Sequence, residues 1–362
     1  MSDKHVLVVL IAGIGDLVLA SPALRALKKG HPKATLHLLT SGEAAELAAH
    51  YSYLDKVWPF PLRKLRQDKT AYVEIISLLW RMNHFQFDRA VNFYHVDSRA
   101  GALKMGAIFL FIRAKEKIGH DRYGFGHFLD TKVSSEFFAR HHITDAMTEL
   151  AAIAGGRTDK GGIEVFWENE SKRRFRYLFN NPAVPQGQQD QPLFVGINPG
   201  GDRTNRRWVT ERYAAVGDKI AATLNARILI FGGPGEEHIA GRIQDKMTSE
   251  VVNLAGKLSI NDLAYVISRL DLLITNDSGP MHIAAATRTP VVAIFGPEDP
   301  VLMKPYTSED LYRVMSKPLP CRPCQQDHCA RPLCLDAISP EEVFNSCMEL
   351  LGSLGKIKPN NI

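Results

Sequence analysis

HVLVVLI (5–11) carries no polar side chain after its first residue. So short and so apolar a run reads as a strand buried on both faces, and such strands belong to parallel sheets covered by helices. A glycine turn follows, then DLVLASPALRALKK (16–29), a helix with Leu17, Ala20, Leu24 and Leu27 on one face. Further strands are predicted at 34–40, 55–60 and 87–93, with helices near 69–84, 97–112 and 141–154. After NNPAVPQGQQDQP (180–192), a polar stretch with little that could enter a core, the alternation restarts. Strands are expected at 193–198, 227–233, 251–256, 272–275 and 291–295. Helices are expected near 210–224, 236–247 and 259–269, and Ile283–Ala286 reads as the first turns of another. The pattern is α/β with mostly parallel sheets.

A length of 362 residues fits two such domains. The expected division is 1–180, a linker 181–192, a second domain 193–338 and a C-terminal helix within 339–362. That helix opens on a Ser339–Glu342 capping box. The net charge of +5 suits an anionic substrate or an acidic membrane surface and is too small to argue for nucleic acid. No apolar run approaches the ~20 residues that span a bilayer. The N-terminus passes straight into a strand without a small-residue cleavage site, so the expected location is cytoplasmic, on or near the inner face of the membrane. The basic run LRKLRQDK (62–69) is a solvated face or a contact for anionic headgroups.

Polar residues gather at the predicted carboxyl ends of strands, where open parallel sheets bind ligands. In LLITNDSGPMHIAAA (272–286), Ser278 and Gly279 begin a helix whose free N–H groups favour an anion. Asp277 could accept sugar hydroxyls and His282 could donate to a phosphate, so this turn reads as a diphosphate-sugar site. INPGGDRTNRRW (197–208) adds Asn198, Gly200 and Gly201, with Arg206 and Arg207 as fork-like donors to phosphate, or as solvated arginines of a surface loop. In the first βα turn Gly13 and Gly15 begin a dinucleotide-like pattern. Its third glycine would fall at Val18, and Thr40 and Ser41 stand where an acidic residue should end the second strand. Asp16 in that turn is either a helix-start carboxylate or a general base. FYHVDSRAG (93–101) and KIGHDRYGFG (117–126) offer His95, Asp97, Arg99, His120 and Arg122, with Gly15, as contacts for an acceptor, or are loops carrying solvated charges. Cys321, Cys324, Cys329 and Cys334 fall in one segment, 321–334, whose spacing suits reduced thiols or a closed structural zinc or iron site, with His328 as an alternative ligand.

Together, GIGDLVLASPALRALKKGHP, INPGGDRTNRRWVTERYAAVGDKI, NLAGKLSINDLAYVISRLDLLITNDSGPMHIAAA and VVAIFGPEDP resemble glycosyltransferase family 9, the ADP-heptose:lipopolysaccharide heptosyltransferases. The resemblance implies a GT-B fold: two Rossmann-like doubly wound domains facing each other across a cleft, the first taking the acceptor and the second the nucleotide sugar. The final helix would cross back to the first domain. Asp16 would correspond to the catalytic base, and Asp277, Ser278, Gly279 and His282 to contacts with the donor. Gly256 and Leu258 would lie beside the adenine. Arg206 stands where the family usually has a lysine two residues before the tryptophan, here Trp208. The Cys segment is similar to a tail of some members thought to bind metal.

The expected reaction is inverting transfer of a heptose or related sugar from ADP-heptose or another nucleotide sugar to a hydroxyl of the lipopolysaccharide inner core. The acceptor would be an anionic glycolipid, and catalysis would use no metal or other cofactor. A nucleotide-sugar epimerase or hydrolase, or a non-catalytic nucleotide-sugar-binding protein, are the alternatives on the same architecture.

Overall fold

The computed structural model describes residues 4–65, 68–134, 136, 140–179, 192–201, 203–324 and 329–358. The chain forms two compact units, Met1–Glu164 and Val165–Ile362. The first runs β1 (His5–Leu10), α1 (Ile14–Gly30), β2 (Thr35–Ser41), α2 (Gly42–Ala48), β3 (Lys56–Phe60), α3 (Leu62–Leu65), α4 (Ala71–Met82), β4 (Phe87–Asn92), α5 (Arg99–Phe111), β5 (Ala114–Asp121), β6 (Thr131–Ser134) and α6 (Ile143–Ile153). The second opens on α7 (Asn169–Phe175) and continues through β7 (Phe194–Asn198), α8 (Thr210–Leu224), β8 (Arg227–Ile230), α9 (Glu237–Lys246) and β9 (Val251–Asn253). It then runs α10 (Ile260–Ile267), β10 (Leu272–Asn276), α11 (Gly279–Ala286), β11 (Val291–Ile294), α12 (Pro300–Met303), β12 (Tyr312–Met315), α13 (Leu333–Asp336) and α14 (Pro340–Ser353).

Each unit is built on a six-stranded parallel sheet, ordered β3-β2-β1-β4-β5-β6 in the first and β12-β11-β10-β7-β8-β9 in the second. Strand order therefore reverses between β1 and β4 and again between β7 and β10. At such a reversal the loops after two neighbouring strands turn away from each other and leave a crevice at the carboxyl edge. The central strands are apolar because helices cover both faces: Val6 to Leu10 of β1 and Leu272 to Ile274 of β10 are buried. Register sets the second crevice in detail, since Asn198 of β7 lies opposite Thr275 of β10.

Two expectations about the division of the chain need correction. The first unit ends at Glu164, because the segment from Val165 onwards packs on the second. Arg174 of α7 pairs with Asp262 in the first turn of α10 at 2.9 Å, and Phe179 meets Phe194 edge-on at 4.9 Å. The C-terminal helix also stays with the second unit. Its capping box is formed, with the Glu342 N–H donating to Ser339 Oγ at 3.2 Å and the Ser339 N–H to Glu342 Oε2 at 2.9 Å. Below it Val343, Cys347, Leu350 and Leu351 join the same core as Ile197, Tyr213 and Ile294. The predicted linker, apart from Pro192, lies outside the described residues.

Three strands escape a reading by apolar pattern. β5 (AKEKIGHD), β6 (TKVS) and β12 (YRVM) are mixed in polarity and only partly buried. β6 and β12 are edge strands, and all three owe their order to backbone pairing with a neighbour.

Candidate functional site

The second unit's crevice is organised by one buried side chain, Asn276, at the end of β10. Its Nδ2 donates to Pro199 O (2.7 Å) and Gly200 O (3.1 Å). Its Oδ1 accepts the Trp208 N–H (3.1 Å) and the Tyr213 hydroxyl (2.8 Å). One amide thus holds both ends of the 199–208 loop against the strand tip. Trp208, itself buried, extends the tie by donating Nε1–H to Ile338 O at 3.2 Å. Sequence reasoning passed over Asn276, which fell just outside the strand expected at 272–275. A polar side chain closing an otherwise apolar run was the available signal.

Around this pin stand the residues expected to hold a donor. Asn198 Nδ2 donates to Thr275 Oγ1 (3.3 Å) and Ser278 Oγ (3.2 Å), which locks the two strand tips side by side. Ser278 precedes α11, yet its hydroxyl turns to Asn198 and Thr275 and does not cap the helix. The positive end of α11 therefore opens at the strand tip without a side-chain cap, as an anion site requires. Gly279 begins α11, and His282 is buried one turn further in.

Arg206 Nη1 lies 3.3 Å from Asp277 Oδ2, while its Nη2 pairs with Glu298, which Arg203 also approaches at 3.4 Å. Arg206 Nε is buried and has no hydrogen-bond partner among the described residues. The guanidinium is thus oriented by two carboxylates, with Nε turned away from solvent. Arg207 is placed differently. Its Nε and Nη2 both donate to Gly201 O (2.8 and 2.5 Å), and it lies 3.6 Å from Glu236. Glu236 in turn accepts the N–H groups of Gly201 and Gly233, both at 2.8 Å. Arg207 and Glu236 are clasps on the loop, so the two arginines that looked alike in sequence have separate tasks.

Gly256 follows β9 at φ +71°, and its N–H donates to Gly232 O at 3.0 Å. A Cβ there would meet only the exposed, flexible Glu237 side chain, so it is the left-handed conformation that calls for glycine. Leu258 is half-buried just ahead of α10.

In the first unit the candidates lie at or just beyond the ends of β1, β4 and β5, three neighbouring strands. Asp16 is half-buried in the first turn of α1 and accepts the Gly13 N–H at 3.2 Å, while Gly15 beside it is buried. His95 and His120 stack with centroids 6.4 Å apart, and Arg122 pairs with Asp97 at 2.8 Å. Burial, with His120 and Arg122 nearby, pushes the His95 imidazole down to about 3, and burial also lowers His120. Both rings are neutral at ordinary pH and suited to hydrogen bonding with hydroxyls. Arg99, at the start of α5, is exposed.

The cysteines do not assemble as a metal site among the described residues, where no three His, Cys, Asp or Glu side chains are placed to hold an ion. Cys334 is buried on α13 and joins the core, while Cys321 and Cys329 are exposed and Cys324 is intermediate. His328 lies outside the described residues. Among the described residues no helix is long and apolar enough to cross a membrane.

Comparison with known proteins bears on this arrangement. The profile of glycosyltransferase family 9 (heptosyltransferase) matches residues 81–334, more than half of the chain. The chain belongs to glycosyltransferase family 9. This glycosyltransferase is similar to lipooligosaccharide heptosyltransferase 2 of Campylobacter jejuni, 28% identical over 349 residues, which cover 93% of this chain and 96% of that one. Among solved structures it resembles the family 9 glycosyl transferase from Veillonella parvula, with a TM-score of 0.78 at 20% identity, covering 96% and 97% of the two chains. It also resembles the E. coli ADP-heptose lps heptosyltransferase II, with a TM-score of 0.72 at 19% identity, covering 97% and 100%. These likenesses are of fold, and the enzyme's two Rossmann-like units are those of the GT-B class that the sequence implied.

Proposed function

We propose that this glycosyltransferase moves a heptose from ADP-heptose to a hydroxyl of the lipopolysaccharide inner core with inversion at the anomeric carbon. The observation that carries the reading is the β7–β10 crevice. There the uncapped start of α11 and the oriented guanidinium of Arg206 form an anion site beside a carboxylate, Asp277. The names of its relatives, lipooligosaccharide heptosyltransferase 2 and ADP-heptose lps heptosyltransferase II, support the choice of donor and acceptor.

In this mechanism the acceptor hydroxyl gives its proton to the Asp16 carboxylate and its oxygen bonds to the anomeric carbon. The bond from that carbon to the diphosphate breaks and ADP leaves with the electron pair. Negative charge grows on the leaving phosphate as the sugar passes through an oxocarbenium-like state. Fixed dipoles and cations stabilise such charge without having to reorganise. The α11 N-terminus and Arg206 have that role, His282 donates to the phosphate, and Asp277 accepts sugar hydroxyls. His95, His120, Asp97 and Arg122 contact the acceptor.

Calorimetric titration with ADP-, UDP- and GDP-sugars, followed by transfer assays on a heptose-deficient lipid A–core acceptor, tests the proposal. Selective binding of ADP-heptose and an acceptor heavier by one heptose are expected. Epimerised or hydrolysed donor with unmodified acceptor, or binding without turnover, would overturn it.

A further inference from the structure

Two neighbouring helices of the first unit carry apolar side chains on both sides. α4 buries Ala71, Leu78, Leu79 and Met82, and its other face presents Tyr72, Val73, Ile76 and Trp80, the last 64% exposed. α5 buries Ala102, Met105 and Phe109, and presents Leu103, Phe111 and Leu110, the last 80% exposed. The inward faces enter one core cluster and the helices touch, so the outward faces adjoin. Single apolar residues scattered over a surface need no explanation, but a contiguous set of this size marks an interaction face.

The charges around it decide the partner. From Arg99 to Lys115 the chain contains four cations and no carboxylate. Arg99, Lys104 and Arg113 are exposed on or beside α5, and Arg81 is exposed on α4. Glu74 of α4 is paired with Lys64. An apolar centre with Trp and Tyr, rimmed by cations, complements an anionic bilayer surface, where aromatic rings sit at headgroup level and Lys or Arg meets phosphate. A cavity of about 440 Å³ opens at this face beside Val73, lined by Pro59, Pro61 and Leu78 together with Glu74 and Arg81. The basic run 62–69 contributes less than its sequence suggests, because Arg63 pairs with Glu43 at 2.9 Å and Lys64 with Glu74.

We infer that the outward faces of α4 and α5 form a docking surface for a bilayer rich in anionic lipid. The inference rests on this surface alone, so its failure would leave the transferase reading intact.

Co-sedimentation of the full chain with vesicles of phosphatidylethanolamine and phosphatidylglycerol, against phosphatidylcholine alone, tests it. The expected result is binding to the anionic vesicles that weakens as salt rises. Trp80→Asp with Leu110→Glu should lower the partition coefficient about tenfold or more, from the apolar burial lost. Lys104→Glu with Arg113→Glu should weaken binding only where the vesicles are anionic. All four positions are exposed, so circular dichroism, melting temperature and donor affinity should not change. Absence of wild-type binding, or equal binding by the Trp80/Leu110 variant, would overturn the inference. So would a concentration-dependent dimer in sedimentation velocity that the same variant abolishes, which would make the face a contact between copies.

Discussion

Replacing Asn276 by alanine would remove two donors and one twofold acceptor from the centre of the second unit. Four buried partners would lose their bonds: Pro199 O, Gly200 O, the Trp208 N–H and the Tyr213 hydroxyl. A buried polar group left unmatched costs about 1–3 kcal/mol. Relaxation of the loop and entry of water hold the sum near the lower end, at about 4 kcal/mol. For a unit of this size each kcal/mol shifts the melting temperature by about 2–4 °C, so a fall of roughly 8–16 °C is expected. Tyr213→Phe, which removes one of the four bonds, should cost about 1 kcal/mol. Differential scanning calorimetry reads both effects, and titration with ADP-heptose should show weaker binding by the alanine variant because the 199–208 loop is no longer fixed. A fall under about 3 °C with unchanged donor affinity would refute the claim that this amide pins the site.

Arg206→Lys keeps the charge but loses the fork that spans Asp277 and Glu298; kcat/KM for transfer should fall about ten- to a hundredfold, and steady-state kinetics with varied donor checks this. The buried His37, which accepts the Trp58 Nε1–H at 3.1 Å, has its pKa lowered to about 4 by burial, then by His5 and Lys56. Its folded pKa lies below its unfolded value near 6.5, so its contribution is complete above pH 6.5 and is lost as pH falls towards 4. Melting curves across that window should show a loss of about 2–3 kcal/mol, and His37→Gln should flatten this part of the profile while lowering stability at pH 8.

Much of the architecture was legible because burial on two faces leaves an unambiguous mark. β1, β7, β10 and β11 are almost uniformly apolar, and the helices between them repeat at helical spacing. The polar turn 277–282 stood out for the same reason, as a break between two such runs. What sequence spacing cannot carry is pairing over distance. Glu298 orients Arg206 from 92 positions away, and Asn276 reaches Tyr213 across 63. Arg206 and Arg207 are chemically identical neighbours, and only the fold assigns one to the crevice and the other to Gly201 O. The C-terminal helix shows the converse case. Its capping box was readable, but an amphipathic face does not reveal which core it will enter.

The most direct test of the central claim is Asp16→Asn, assayed for transfer and for donor binding on the same preparation. An amide oxygen still accepts the Gly13 N–H that the carboxylate accepts at 3.2 Å, so the start of α1 is preserved while the proton acceptor is lost. The account expects kcat for transfer to fall about 10²- to 10⁴-fold with the Kd for ADP-heptose essentially unchanged. Transfer at the wild-type rate, or a loss of donor affinity that matches the loss of rate, would contradict it.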